Sequence, residues 1–148
     1  MLFRSEQRDI RHATQVEEYF RNDNKLKDIS LVTHAFDLSV ESINIASNMM
    51  NNISKWNLSE CKELKTINCG DNCGIYTMDF VLNDMPFLET ITIGSKSFTL
   101  DPDGFRKSER KFRVSKCPKL TKIYMGSKSF TDCQDFFLEG KWIYKYLI

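Results

Sequence analysis

Apolar residues recur along this chain in a fixed pattern. The segments VESINIASNMM from Val40, LKTINCGDNCG from Leu64, LETITIGSKSF from Leu88 and LTKIYMGSKSF from Leu120 share it. Each reads as an apolar residue, two variable residues, isoleucine, one variable residue, an apolar residue and then, in the last three, glycine. Val40 to Leu64 and Leu64 to Leu88 are each 24 residues, whereas Leu88 to Leu120 is 32, or 24 plus an insertion of eight. A second motif, aromatic, variable, then leucine or valine, follows in every unit: Trp56/Leu58, Phe80/Leu82, Phe112/Val114 and Phe136/Leu138. Alternation of this kind puts both apolar side chains on one face of a strand. Two short extended segments per unit predict a β-rich repeat solenoid, a right-handed parallel β-coil of about four full 24-residue repeats, each burying its apolar positions against the next.

The insertion can be located from the same spacing. Ala46 to Trp56, Gly70 to Phe80 and Gly126 to Phe136 are ten residues each, but Gly94 to Phe112 is 18. The extra residues therefore lie around DPDGFRKSERK, whose Asp, Pro and Gly are turn formers. The predicted boundaries are 26–39 for a degenerate first unit, then 40–63, 64–87, 88–119 with the insertion, 120–143, and a partial unit at 144–148. Upstream, Ile10, Ala13, Val16 or Glu17, and Phe20 stand at helical spacing, which predicts a short amphipathic α-helix within residues 1–25 as an N-terminal cap. At the other end, 24 residues beyond Leu120 and Ile123 fall Tyr144 and Leu147, so WIYKYLI reads as the opening of a further unit. Tyr144, Leu147 and Ile148 would then form an open edge able to pair with a second copy.

The pattern L-x-x-I-x-I-x-x-N/K-x-F at a 24-residue period resembles the leucine-rich repeat, over roughly residues 26 to 148. With glycine after the strand and phenylalanine four residues on, the later units are similar to the BspA-like branch of that family. Asn48 and Asn72 stand where the family's ladder asparagine closes backbone bonds, and Lys96 and Lys128 replace it later. The resemblance implies binding of a protein by the sheet face, with no cofactor and no catalysis. Carried over by position, the outward strand residues are Ser42, Asn44, Thr66, Asn68, Thr90, Thr92, Lys122 and Tyr124. Glu41, Lys65 and Glu89 would lie beside them with alternating charge. A polar ladder of this kind is either a contact surface or simply a solvated sheet held by cross-strand hydrogen bonds.

Composition narrows the alternatives. Hydrophobic residues make up 41% and aromatics 12%, far from the composition of disordered chains. The 21 basic and 20 acidic residues nearly cancel, so no global field draws the chain to nucleic acid or an anionic membrane. The charged first residues, MLFRSEQRDIRH, do not form a secretory leader, and no run of 18 apolar residues occurs. A cytoplasmic protein with reduced thiols is the expectation, since five cysteines form an odd set.

Residue types and spacing give little support to catalytic or metal chemistry. Cys61, Cys69 and Cys73 are close in sequence, but Cys69 shares its repeat slot with Ile45, Ile93 and Met125, and Cys61 with Met85 and Cys117. Repeat phase makes them small hydrophobes and predicts no metal site. His12 and His34 are the only histidines, leaving a nucleophile without a base. Asp79, Asp84 and Glu89 show no alignment around a pocket for acid/base work. The one local departure from neutrality is the insertion, where Arg106, Lys107, Arg110, Lys111 and Arg113 put five basic residues within eight positions. They form either a solvated charged loop or a grip for an acidic partner.

Overall fold

The computed structural model describes residues 40–51, 53–139 and 146–147. The helical cap predicted within 1–25, the degenerate unit at 26–39, and Tyr144 and Ile148 lie outside the described residues. Among the described residues nine strands follow one another: β1 (Ser42–Ile45), β2 (Lys55–Asn57), β3 (Thr66–Cys69), β4 (Asp79–Asn83), β5 (Thr90–Ile93), β6 (Lys111–Ser115), β7 (Lys122–Met125), β8 (Asp135–Leu138) and β9 (Tyr146–Leu147). They form two parallel sheets, ordered β1-β3-β5-β7-β9 and β2-β4-β6-β8, so the chain passes from one sheet to the other at every strand. No helix occurs among the described residues.

The registers follow the spacing of the apolar motifs. Ile43 pairs with Ile67, Ile67 with Ile91 and Ile91 with Ile123, and the next inward column runs Ile45, Cys69, Ile93, Met125. In the second sheet Trp56, Phe80, Phe112 and Phe136 form one column, and Leu82, Val114 and Leu138 stand in register beside it. The insertion of eight is absorbed between β5 and β6, which leaves the pairs on both sides in register. At the last strand the expected spacing is corrected. Leu147 pairs with Met125 rather than Ile123, and Tyr146 with Tyr124, an offset of 22. A two-residue slip preserves the alternation of side chains, so the apolar pattern does not distinguish these registers.

Strand residues alternate between buried and outward positions, and the buried set joins into one core between the sheets. Fully burying a side chain the size of Ile67, Ile91 or Leu82 stabilises by about 1.5–3 kcal/mol. Aromatic rings reinforce the stack. Trp56–Phe80, Phe80–Phe112 and Phe112–Phe136 centroids each lie 5.2 Å apart. Phe98 and Phe130 add a second file, stacked at 5.1 Å with an interplanar angle of 2°. Such pairs contribute about 0.5–1.5 kcal/mol each beyond the area they bury.

The turns that leave β1, β3, β5 and β7 repeat one backbone device. Asn48, Asn72, Lys96 and Lys128 all have positive φ, between 54° and 67°, and so do Met50, Gly74, Phe98 and Phe130 two residues later. This accounts for the N/K position in the sequence pattern. The amides of Asn48, Asn72 and Lys96 donate to the carbonyls of Asp71, Ser95 and Ser127, so it is the backbone that makes the bond there. Asparagine tolerates the left-handed region best among non-glycine residues, and lysine serves where the side chain is solvated. The glycines before it have a different reason. A Cβ on Gly94 would lie 2.3 Å from the Gly70 backbone, and one on Gly126 2.4 Å from the Ser95 nitrogen.

Candidate functional site

The outer face of the first sheet is built by the first and third residues of four-residue strands whose second and fourth residues fill the core. Ser42, Thr66, Thr90 and Lys122 make one outward column, and Asn44, Asn68, Thr92 and Tyr124 the other. All eight side chains named from the sequence therefore share one surface, and none is fully buried. Its first two strands are tied together by their own side chains. Thr66 Oγ1 donates to Ser42 Oγ at 2.9 Å, Asn68 Nδ2 to Asn44 Oδ1 at 2.7 Å and Asn44 Nδ2 to Ser42 Oγ at 3.1 Å. Beside them Lys65 Nζ reaches Glu41 Oε1 at 2.9 Å, the charge alternation expected there. Polar groups engaged laterally in this way still offer acceptors and donors to solvent, on a surface whose geometry is fixed beforehand.

The five basic residues around the insertion are not one patch. Arg106 and Lys107 are exposed on the loop, while Lys111 and Arg113 stand on β6, on the outer face of the second sheet. There Lys55, Asp79, Lys111 and Asp135 lie in register and alternate in charge, and Arg113 Nε meets Asp135 Oδ2 at 3.0 Å with its guanidinium 5.1 Å from the Phe137 ring centre. A shallow depression of about 420 Å³ on this face is lined by Lys55, Trp56, Asn57, Asp79, Val81 and Lys111.

Arg110 corrects the expectation most. It is wholly buried, and so offers nothing to an acidic partner. Its Nε donates to Asp132 Oδ1 at 2.9 Å and its Nη2 to Asp132 Oδ2 at 3.4 Å. Nη1 reaches the carbonyls of Gly74, at 3.2 Å, and Thr77, and Nη2 that of Ile75, at 2.7 Å. One guanidinium thus joins the turn before β4 to the turn before β8. The Leu100 amide adds a bond to Asp132 Oδ2 at 2.9 Å. Burial alone would raise the Asp132 carboxyl, but the Arg110 bond, the Leu100 amide and the Arg110 charge outweigh it and hold the group below the usual carboxylate range.

Sequence reasoning missed this pair, although a signal existed. Lys111 and Arg113 flank the inward Phe112 and so must point outward, whereas Arg110 shares its slot with the half-buried Met78. No such cue marks Asp132, whose partner lies 22 residues away.

Cys61, Cys69 and Cys117 occupy the buried slots that repeat phase assigned them. Cys61, Cys69, Cys73 and Cys117 are buried and Cys133 partly so. Burial, with the Glu60 charge added, pushes the Cys61 thiol up to about 12, and burial likewise raises Cys69, Cys73, Cys117 and Cys133. A thiol so raised is a poor nucleophile near neutral pH. Among the described residues no group of three or more His, Cys, Asp or Glu side chains is placed to hold a metal ion. Nor does any helix there have the length and apolarity to cross a membrane.

The architecture so defined is a β-rich chain of two parallel sheets with interleaved strands. In comparisons with known proteins, no family model, curated protein or solved structure matches the chain.

Proposed function

We propose that the chain is a repeat solenoid of the leucine-rich-repeat kind and a non-catalytic protein-binding module, whose contact surface is the outer face of the first sheet. The observation that carries this is the pair of in-register outward columns, Ser42 to Lys122 and Asn44 to Tyr124. A surface held by backbone ladders and by its own side-chain bonds loses little conformational entropy when a partner docks. Tyr124 supplies the aromatic contact that such interfaces favour, set between Thr92 and the end of the sheet. The partner is a protein, with no cofactor between them, and the setting is cytoplasmic.

The test is partner recovery with matched variants. Binding should be lost in Thr66→Arg/Thr90→Arg/Tyr124→Arg and retained in Asn57→Arg, which alters the other sheet. A partner that survives the triple change does not use this face.

A second function, self-assembly by end-to-end stacking, is favoured by one observation. Phe136 points along the core column below Phe112 yet is 42% exposed, and Phe137 beside it is 40% exposed. Both lie on β8, the last strand of its sheet among the described residues. An edge with exposed apolar side chains is a template for pairing with another copy, through β8 and the segment containing Tyr144, Leu147 and Ile148.

A further inference from the structure

We infer that the loop inserted between β5 and β6 is a second contact surface, holding Phe105 and Arg106 on a rigid frame for a protein partner that offers an apolar pocket with a carboxylate at its rim. It uses none of the residues of the sheet face and stands independently of that surface.

The frame is built around Asp101. Its carboxylate accepts the Arg106 amide at 2.8 Å and the Asp103 amide at 3.2 Å, while its carbonyl accepts the Gly104 amide at 3.0 Å and Thr131 Oγ1 at 2.5 Å. Lys128 Nζ meets Asp103 Oδ1 at 3.2 Å, and Lys107 Nζ donates to the Thr131 carbonyl at 3.0 Å. Below, the loop is anchored by the Ser108 amide on the Asp132 carbonyl at 2.8 Å and by the buried Arg110–Asp132 pair. Gly104, with φ of 74°, then turns the chain so that Phe105 follows at the tip.

Phe105 is 88% exposed, the most open of the large hydrophobic side chains among the described residues. Single exposed apolar residues are ordinary on protein surfaces. Here the backbone on both sides of the ring is fixed, so seating the ring in a pocket costs little beyond its own rotamer freedom. Arg106 follows directly, and phenylalanine and arginine are both enriched at protein interfaces relative to the rest of the surface.

Charge selects the class of partner. From Asp101 to Glu109 the loop carries three acidic residues, Asp101, Asp103 and Glu109, against two basic ones, Arg106 and Lys107. That balance opposes an anionic bilayer or a polyphosphate, which respond to the summed field. Lys107 Nζ is turned to the Thr131 carbonyl in the turn before β8, and Arg106, exposed beside Phe105, is the cation placed to meet a single carboxylate.

Short random peptides displayed on phage and selected on the immobilised whole chain test this, followed by anisotropy titrations of each enriched peptide. Enriched sequences should combine Asp or Glu with aliphatic or aromatic residues. Their affinity should fall by at least about tenfold, roughly 1.4 kcal/mol, with both Phe105→Ser and Arg106→Glu, and stay unchanged with Asn57→Lys. Thermal unfolding of both loop variants should match the parent, since both side chains are exposed. The inference is overturned by peptides indifferent to these changes, by an absence of enriched peptides, by peptides lost only with Thr92→Arg, which would report the sheet face, or by Phe105-dependent binding to phosphatidylserine vesicles.

Discussion

Replacing Arg110 by methionine removes a side chain that no exposed surface could compensate. The Asp132 carboxylate is left 2% exposed without its counter-charge, the carbonyls of Ile75 and Thr77 lose the guanidinium donor, and that of Gly74 keeps only the Thr77 amide. Breaking a buried pair from one side costs about 3–5 kcal/mol, and a buried carbonyl without a partner about 1–3 kcal/mol. These do not add, because Asp132 can take up a proton and the turns can relax. A loss of about 3–5 kcal/mol is expected for Arg110→Met, which at a slope of about 2 kcal/mol/M moves the urea midpoint down by roughly 2 M. Arg110→Met/Asp132→Leu removes the orphaned charge as well and should recover part of that loss, giving a coupling energy of the order of 2 kcal/mol in a double-mutant cycle. Because the folded carboxyl lies below its unfolded value near 4, its contribution is complete above that pH and is lost as pH falls through the folded value. The stability gap between the parent and the double variant should therefore narrow in acid. Urea titrations of the four proteins across pH measure all of this. A cost under about 1 kcal/mol for Arg110→Met, or strict additivity, would refute the role given to the pair.

Further outcomes follow from the turns, the thiols and the loop. Gly74→Ala should destabilise by about 2–5 kcal/mol, since a Cβ there adds left-handed strain and would lie 2.3 Å from the Phe98 ring; urea unfolding reports it. Lys96→Val, a β-branched residue at φ of 54°, should cost about 1–2 kcal/mol, while Lys96→Asn should be neutral or stabilising by a few tenths of a kcal/mol, read from thermal midpoints. Native protein at mildly alkaline pH should alkylate slowly, with Cys133 first, and yield all five thiols only when denatured, as mass spectrometry would show. Asp101→Ala should abolish hydrogen-exchange protection at Asp103 and Arg106 while leaving β5 and β6 protected.

Much of the fold was legible because each unit states it again. Ile43, Ile67, Ile91 and Ile123 announced both the strands and their mutual register, and the ten-residue step to each aromatic placed the second sheet. Repetition also let Cys69 and Cys61 be read as core residues before any coordinates. What stayed hidden breaks the period. Arg110 and Asp132 meet because the inserted loop folds back on the turn before β8, a contact with no counterpart in the other units. The offset of 22 at β9 was hidden for another reason, since a slip of two leaves the alternating pattern unchanged. The eight sheet-face residues were found by phase alone, yet phase did not say that Ser42, Asn44, Thr66 and Asn68 bond one another. The contrast between Lys111 and Arg110 shows how fine the distinction is: one step along the chain separates a solvated cation from a core one.

The solution mass of the chain, by sedimentation equilibrium over a wide concentration range, bears most directly on whether this is an independent binding module. A folded monomer of 17.3 kDa throughout is the expected result, for the whole chain and for one ending at Gly140. Concentration-dependent association that disappears when the last eight residues are removed would contradict it, and would make the sheet ends at β8 and β9, rather than the polar face, the functional surface.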